Sequence, residues 1–140
     1  MSLYLDASIL VPLVAPDSLA GQAEAFFGKI KTPLSVSDLA AAEVASAVSR
    51  KVRMREVPVP AAEEVLRTFD SWITAAATAI RITGADIAEA SGYLRRLDLN
   101  LRTADAIHIA AARRLALTLA TFDRNMAESA RTLGVAVAEL

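Results

Sequence analysis

Short apolar runs alternate with longer segments of helical periodicity along this chain, and this alternation constrains the fold more than any other feature of the sequence. Five runs have the composition of strands covered on both faces: SLYLD, TPLSVS, AIRI, LALTLAT and VAVAEL. Strands that alternate with helices pair in parallel, with the helices on both faces of the sheet. The sequence therefore predicts a three-layer α/β fold around a central, mostly parallel sheet of about five strands.

The segments between these runs have the signals of helices. A short helix is predicted in SILVPLV, an amphipathic one over 18–31, and a long one from Ser37 to about Met54. The connector EVPVP separates the long helix from the next, because proline suits the first helical turn and disfavours a helical predecessor. Thr83 and Asp86 have capping-box spacing, and Gly134 has the position of a helix terminator.

The size and composition of the chain fit one domain spanning residues 1–140. Hydrophobic residues make up 54% of the 140 residues and aromatic residues only 5%. The core is therefore expected to consist of alanine, leucine, valine and isoleucine, which allows helices to pack closely. The sequence contains no cysteine, which excludes disulfide frameworks, thiolate zinc sites and cysteine nucleophiles.

Two further features bear on the surroundings of the protein. No apolar run reaches the roughly 18–20 residues that a membrane span requires, and the segment MSLYLDASIL lacks the basic region and cleavage site of a secretory signal. We therefore expect a cytoplasmic protein without a membrane partner. The formal net charge of −1 argues neither for nor against a nucleic-acid partner.

Four acidic residues occupy positions that a solvated helix face does not explain. Asp6 and Asp123 each follow a predicted strand, and the carboxyl ends of parallel strands are where open α/β sheets bind ligands. Glu43 and Asp105 lie in helical segments that are otherwise rich in alanine and isoleucine. Each position also has an ordinary explanation: Asp6 and Asp123 as helix caps, Glu43 as a side chain that reaches solvent, and Asp105 as a cap or ion-pair partner.

The four positions together favour a metal site. Carboxylates about 4 Å apart would repel each other by about 4 kcal/mol per pair at an effective dielectric constant near 20. A bound cation would remove this penalty. Oxygen ligands without thiolate and with little imidazole select hard divalent ions, so Mg²⁺ or Mn²⁺ is the expected cofactor.

Three segments, in this order, resemble the PIN-domain family and, within it, the VapC toxins of bacterial toxin–antitoxin pairs: YLDASILV, SVSDLAAAEVASAVSRKVR and LRTADAIHIAAARRLALTLATFDRNM. The similarity extends over nearly the whole chain. It implies a PIN fold and a Mg²⁺- or Mn²⁺-dependent endoribonuclease that hydrolyses RNA phosphodiester bonds by metal-activated water, leaving a 5′-phosphate and a 3′-hydroxyl. It also implies homodimers and inhibition by a VapB-type antitoxin.

The resemblance assigns roles to individual residues. The acidic site of the family falls on Asp6, Glu43, Asp105 and Asp123. By this resemblance Asp6 and Asp105 are the direct metal ligands, whereas Glu43 and Asp123 complete the pocket or hold metal-bound waters. Ser8 and Thr121 fall where the family often has a hydroxyl beside the acids.

Other residues have less specific roles in this interpretation. Some basic residues are expected to contact RNA phosphates: Arg50, Lys51, Arg53, Arg55, Arg102 and Arg124. His108 lies one helical turn from Asp105, and a lone histidine on an apolar helix is more often a hydrogen-bonded packing residue than a metal ligand. Phe69, Trp72 and Ile73 fit either a core or an interface.

Other functions fit the sequence less well. A haloacid-dehalogenase-type phosphatase requires a second aspartate two residues after the first, where this chain has Ser8. A receiver-type signalling domain requires an acidic pair and a late lysine that are absent. A non-catalytic PIN-like module that binds RNA or protein remains the alternative to the nuclease.

Overall fold

The computed structural model describes residues 2–15 and 18–140. The elements, in chain order, are β1 (Leu3–Leu5), α1 (Ala7–Val14), α2 (Ala20–Lys29), β2 (Leu34–Ser37), α3 (Asp38–Arg53), α4 (Val59–Ala76), β3 (Ala77–Ile80), α5 (Gly84–Arg95), α6 (Thr103–Arg114), β4 (Thr118–Ala120) and α7 (Arg124–Thr132). Strands and helices thus alternate in the way the apolar runs predict, and the helix predicted over 18–31 is α2.

The sheet has four strands in the order β3-β2-β1-β4, and all three pairs are parallel. Strand β1 is therefore central, with Leu3 aligned to Leu34 of β2 on one side and to Thr118 of β4 on the other. The chain moves outwards from β1 to β2 and β3, and then crosses the sheet to form β4 on the other side of β1. This order confirms the predicted three-layer α/β architecture.

The prediction of a fifth strand at VAVAEL is wrong for the described residues. Only a single parallel bridge joins Val137 to Leu119. Leu119 donates its N–H to the carbonyl of Ala136 and accepts from the N–H of Ala138, so one residue of β4 uses both of its outward-facing backbone groups. Strand β4 is only three residues long and also pairs with β1, so on its other side Leu119 alone is available to pair. A longer ladder with VAVAEL therefore has no partner.

The third strand is also displaced from its predicted position. It comprises Ala77–Ile80 rather than 79–82, because Ala77 and Thr78 already pair with Leu34 and Ser35 of β2. The predicted starts of two helices, in contrast, agree with the structure. The capping box of Thr83 and Asp86 starts α5, and proline occupies the first turn of α4.

The buried residues form two clusters, one on each face of the sheet. Leu3 and Leu5 belong to one cluster and Tyr4 to the other, as expected because successive side chains of a strand point to opposite faces. Phe69 is 3% exposed within the first of these clusters, and Trp72 packs against it. These aromatic residues therefore belong to the core in this structure.

None of the helices in the described part of the chain is both long enough and apolar enough to cross a membrane.

Candidate active site

A crevice is expected where β1 and β4 lie side by side. The chain leaves β1 towards β2 but enters α7 from β4 on the opposite side, so the segments that follow these two strands diverge. Such a point, at the carboxyl ends of parallel strands, is the usual ligand site of an open α/β sheet. Asp6 follows β1 directly, and Thr121 and Asp123 follow β4.

Asp6 is the most deeply buried of the four candidate acids, with 5% of its surface exposed. The Ser8 hydroxyl donates to Oδ1 over 2.6 Å, and the Thr121 hydroxyl donates to Oδ2 over 3.0 Å. Asp6 occupies the N-cap position of α1, but its side chain makes no capping hydrogen bond. Helix capping therefore does not explain why this position carries an acid.

The two hydroxyls are themselves held by the backbone that follows β4. Ser8 Oγ accepts from the N–H of Phe122 at 2.9 Å, and Thr121 Oγ1 accepts from the N–H of Asp123 at 3.0 Å. Each hydroxyl thus uses a lone pair for the backbone and its proton for Asp6. Consequently both oxygens of Asp6 have a fixed orientation.

Burial makes the ionised form of Asp6 unfavourable. The pKa of Asp6 is raised to about 6, chiefly by loss of water and to a smaller extent by the nearby charge of Glu43. The hydroxyls of Ser8 and Thr121, together with His108, act in the opposite direction and lower the pKa. A cation beside Asp6 would stabilise the charged form that burial disfavours.

Asp123 is placed at the other side of this crevice, as the N-cap of α7. Its Oδ1 accepts from the N–H of Met126 over 3.1 Å, so the capping role that the sequence left open is realised. Only Oδ1 is used in this bond, and Oδ2 stays available for another ligand.

Asp105 lies in the first turn of α6, with 17% of its side chain exposed. Oδ2 accepts from the backbone N–H of Arg102 at 3.4 Å and lies 3.7 Å from the Arg102 guanidinium. Burial raises the pKa of Asp105, the Arg102 N–H lowers it, and the charge of Asp123 raises it. The pKa of Asp105 is raised overall, and Asp123 lies close enough to contribute to this shift.

Glu43, on α3, contacts His108 on α6. Nε2 of His108 lies 2.5 Å from Oε1 of Glu43, and Nδ1 lies 2.6 Å from the hydroxyl of Tyr4. The side chain of His108 is 2% exposed, whereas that of Glu43 is 34% exposed. His108 is thus the hydrogen-bonded, buried residue that its apolar neighbours predict.

Sequence reasoning missed Tyr4 and the contact between His108 and Glu43. A signal for Tyr4 was present, since a tyrosine in an apolar strand has a hydroxyl that needs a buried partner. No sequence signal joins His108 to Glu43, because these residues are 65 positions apart.

Electrostatic coupling links all four acids, but they do not form a preassembled ligand cluster. Glu43 acts on the pKa of Asp6, Asp123 acts on that of Asp105, and His108 acts on both. Among residues 2–15 and 18–140, however, no three His, Asp or Glu side chains are grouped closely enough to hold a metal ion. Each acid is instead engaged by a hydroxyl, a backbone N–H, an arginine or His108.

These donors suit a hard divalent cation by their chemistry. They are carboxylate and hydroxyl oxygens, which are the ligands that such ions prefer. In the described residues these side chains do not surround a common point, so the binding of an ion would require at least one of them to move.

The basic residues differ in how free they are to contact a phosphate. Lys51 pairs with Glu56 at 3.2 Å, and Arg53 donates to Ser49 at 2.9 Å. Arg102 is 86% exposed at the start of α6, and the exposed Arg124 begins α7. These two arginines adjoin the positions of Asp105 and Asp123.

Comparisons with known proteins identify the family. Solved structures with the same fold include VapC20 of Mycobacterium tuberculosis, described as a sarcin-ricin loop cleaving toxin, with a TM-score of 0.72, 18% identity and coverage of 91% of this chain and 94% of that chain. FitAcB of Neisseria gonorrhoeae has a TM-score of 0.74 at 17% identity, and the match covers 98% of this chain and 96% of that chain. VapBC2 of Rickettsia felis, bound to a DNA fragment from their promoter, has a TM-score of 0.69 at 17% identity, covering 100% and 99%.

At these identities the structural likeness establishes the fold. No curated protein matches the sequence significantly. The PIN domain model, in contrast, matches residues 3–131, which include all four acids and both strands that border the crevice. The chain therefore belongs to the PIN domain family.

Proposed function

We propose that this protein is the RNA-cleaving toxin of a toxin–antitoxin pair and that it hydrolyses RNA with the help of Mg²⁺ or Mn²⁺. The observation that carries this proposal is the burial of Asp6 between the ends of β1 and β4, within the electrostatic influence of Glu43. A buried acid at the ligand-binding end of a PIN-domain sheet fits a metal-dependent hydrolase better than a structural role.

Asp6 and Asp105 would hold the cation directly, and Glu43 and Asp123 would complete its surroundings. A divalent ion held there would supply two effects: a lower pKa for a bound water and neutralisation of the negative charge that builds up on the phosphate.

The protein's own residues orient these acids. The hydroxyls of Ser8 and Thr121 fix both oxygens of Asp6, so this carboxylate does not have to be ordered when a ligand binds. The capping bond of Asp123 fixes its Oδ1 in the same way. Such preorganisation lowers the free energy needed to assemble the site around a substrate.

Positive charge beside the acids would bind the substrate. Arg102 and Arg124 lie at the starts of α6 and α7, and their exposed side chains can pair with phosphate oxygens. The Arg102 guanidinium already lies 3.7 Å from Asp105, so a phosphate would share or replace this contact. In-line attack of water on the phosphodiester would leave a 5′-phosphate and a 3′-hydroxyl.

RNA cleavage by the wild type and by Asp6→Asn tests this function. The proteins are compared in Mg²⁺, in Mn²⁺ and in EDTA, with end-labelled RNA to identify the product termini. We expect cleavage only with a divalent ion, and a loss of at least about a hundredfold in Asp6→Asn. Asp70→Asn, which removes the same charge from the exposed surface of α4, is the matched control.

The same assay separates the alternatives. Cleavage that persists in EDTA would contradict metal dependence. Binding of RNA by the wild type without cleavage in either metal would instead identify a non-catalytic RNA-binding module.

We also propose an antitoxin partner and a homodimer. The antitoxin partner is supported by solved structures of the same fold, which include VapBC2 of Rickettsia felis and a toxin–antitoxin complex from Klebsiella pneumoniae. Expression of the chain alone should arrest bacterial growth, and co-expression of a small protein encoded directly upstream should restore growth.

Light scattering after size-exclusion chromatography measures the oligomeric state of the protein. A monomer at micromolar concentration would contradict the proposed homodimer.

A further inference from the structure

Three elements of the fold are joined by one buried imidazole. His108 of α6 contacts Tyr4 of β1 through Nδ1 at 2.6 Å and Glu43 of α3 through Nε2 at 2.5 Å. Tyr4 is 0% exposed and His108 1% exposed, and their rings pack edge to face with centroids 5.5 Å apart. Only Glu43, at the end of this chain of contacts, reaches solvent.

The proton positions along this chain follow from burial. Burial raises the pKa of the Tyr4 hydroxyl, so Tyr4 keeps its proton and can donate a hydrogen bond to Nδ1 of His108. The carboxylate of Glu43 can only accept, so Nε2 of His108 carries the proton of this contact and donates to Oε1. Tyr4 therefore selects the tautomer that can hold the glutamate.

Glu43 needs such a partner if it is to act in the crevice. Its side chain is flexible and 34% exposed, and nothing in the helix itself keeps the carboxylate near Asp6. Ordering a glutamate side chain costs rotamer freedom. The contact with His108 uses Oε1 and leaves Oε2 for a ligand, so it can order the carboxylate without occupying it.

We propose that His108 is a positioning residue for the nuclease reaction: Tyr4 fixes the imidazole, and the imidazole holds Glu43 at the crevice that contains Asp6. This inference rests on the proposed nuclease function. His108 need not touch RNA or metal in this role, since it acts through Glu43.

Two substitutions of His108 separate positioning from packing. In His108→Asn the amide lies near the position of Nδ1 and can still accept from Tyr4, but it does not reach Glu43. In His108→Gln the amide reaches the position of Nε2 and can donate to Glu43. We expect His108→Asn to lower kcat by about 10- to 100-fold with little change in KM for RNA, and His108→Gln to restore most of that loss.

A double-mutant cycle shows whether the effect passes through Glu43. If it does, His108→Asn should cause no further loss of kcat in a Glu43→Gln background. The proposal is overturned if His108→Asn loses the same factor in both backgrounds, if it is as active as His108→Gln, or if the activity of both variants simply follows their melting temperatures.

A measurement without substrate keeps this inference distinct from the proposed function. Long-range ¹H–¹⁵N spectra of the imidazole should show a protonated Nε2 whose proton exchanges slowly in the wild type and rapidly in Glu43→Ala. A wild type that shows this signal but cleaves no RNA contradicts the nuclease, whereas a wild type that cleaves RNA without the signal contradicts positioning by His108.

Discussion

Replacing Asp6 by asparagine should stabilise the metal-free protein at neutral and alkaline pH. Folding transfers this carboxyl group into a site with 5% exposure, where burial raises its pKa from 3.8 to about 6. The folded state therefore binds more protons than the unfolded state between these two values, and wild-type stability falls as the pH rises through this window. Asparagine has no charge to bury and avoids this loss.

The magnitude follows from the pKa difference. One pKa unit corresponds to 1.36 kcal/mol, so the ionised Asp6 costs about 3 kcal/mol at pH 8 and about half of that at pH 5. Asparagine can accept only one of the two hydroxyl bonds that Asp6 accepts, and the other hydroxyl must turn. This rearrangement costs about 1 kcal/mol, so we expect a net gain of about 2 kcal/mol at pH 8.

Urea unfolding in EDTA, from pH 5 to pH 8, measures this gain for the wild type, Asp6→Asn and Asp70→Asn. Asp70 is exposed on α4, so its variant separates a general effect of net charge from the effect of burying a charge. The reasoning is refuted if Asp6→Asn is less stable than the wild type at pH 8, or if its advantage does not increase from pH 5 to pH 8.

Three further substitutions test other parts of the structure. Thr121→Val removes the hydroxyl that donates to Asp6 and accepts from the loop backbone. Urea unfolding should therefore show a free energy of unfolding lower by about 1–2 kcal/mol, and RNA cleavage should weaken. Unchanged cleavage would contradict the orienting role of Thr121. Burial raises the pKa of Asp86, but hydrogen bonds, chiefly from Arg114, lower it overall. Asp86→Ala should therefore lower the free energy of unfolding, measured in urea, by at least about 2 kcal/mol at pH 7. This difference from the wild type should shrink as the pH falls below 4. A difference independent of pH would contradict the stabilising role of the ion pair with Arg114. Gly134→Ala should lower stability by about 1 kcal/mol in thermal unfolding, because Gly134 has a φ of +79° with open space around it; an unchanged melting temperature would show that the turn relaxes freely.

The local signals in the sequence were sufficient for most of the fold. Capping residues and proline positions predicted where α4 and α5 begin, because these signals act over a few neighbouring residues. The apolar runs predicted four strands for the same reason. VAVAEL has the same composition, yet pairing depends on how much ladder the neighbouring strand offers, and β4 offers a single residue, Leu119.

The candidate site was predictable only in part. The positions of Asp6 and Asp123 after strands follow from the order of elements, and the structure brings them to one crevice through Thr121. The orientation of each side chain does not follow from that order. Whether Glu43 turns to His108 or to Asp6 is decided by tertiary contacts between α3 and α6, which no local pattern encodes.

The strand order β3-β2-β1-β4 has a consequence for biosynthesis. Asp6 emerges first from the ribosome, but the strand that completes its surroundings ends at Ala120, and Thr121 and Asp123 follow it. Translation must therefore pass Asp123 before the crevice can exist. A nascent or prematurely terminated chain that lacks β4 would therefore lack the crevice on which the proposed function depends.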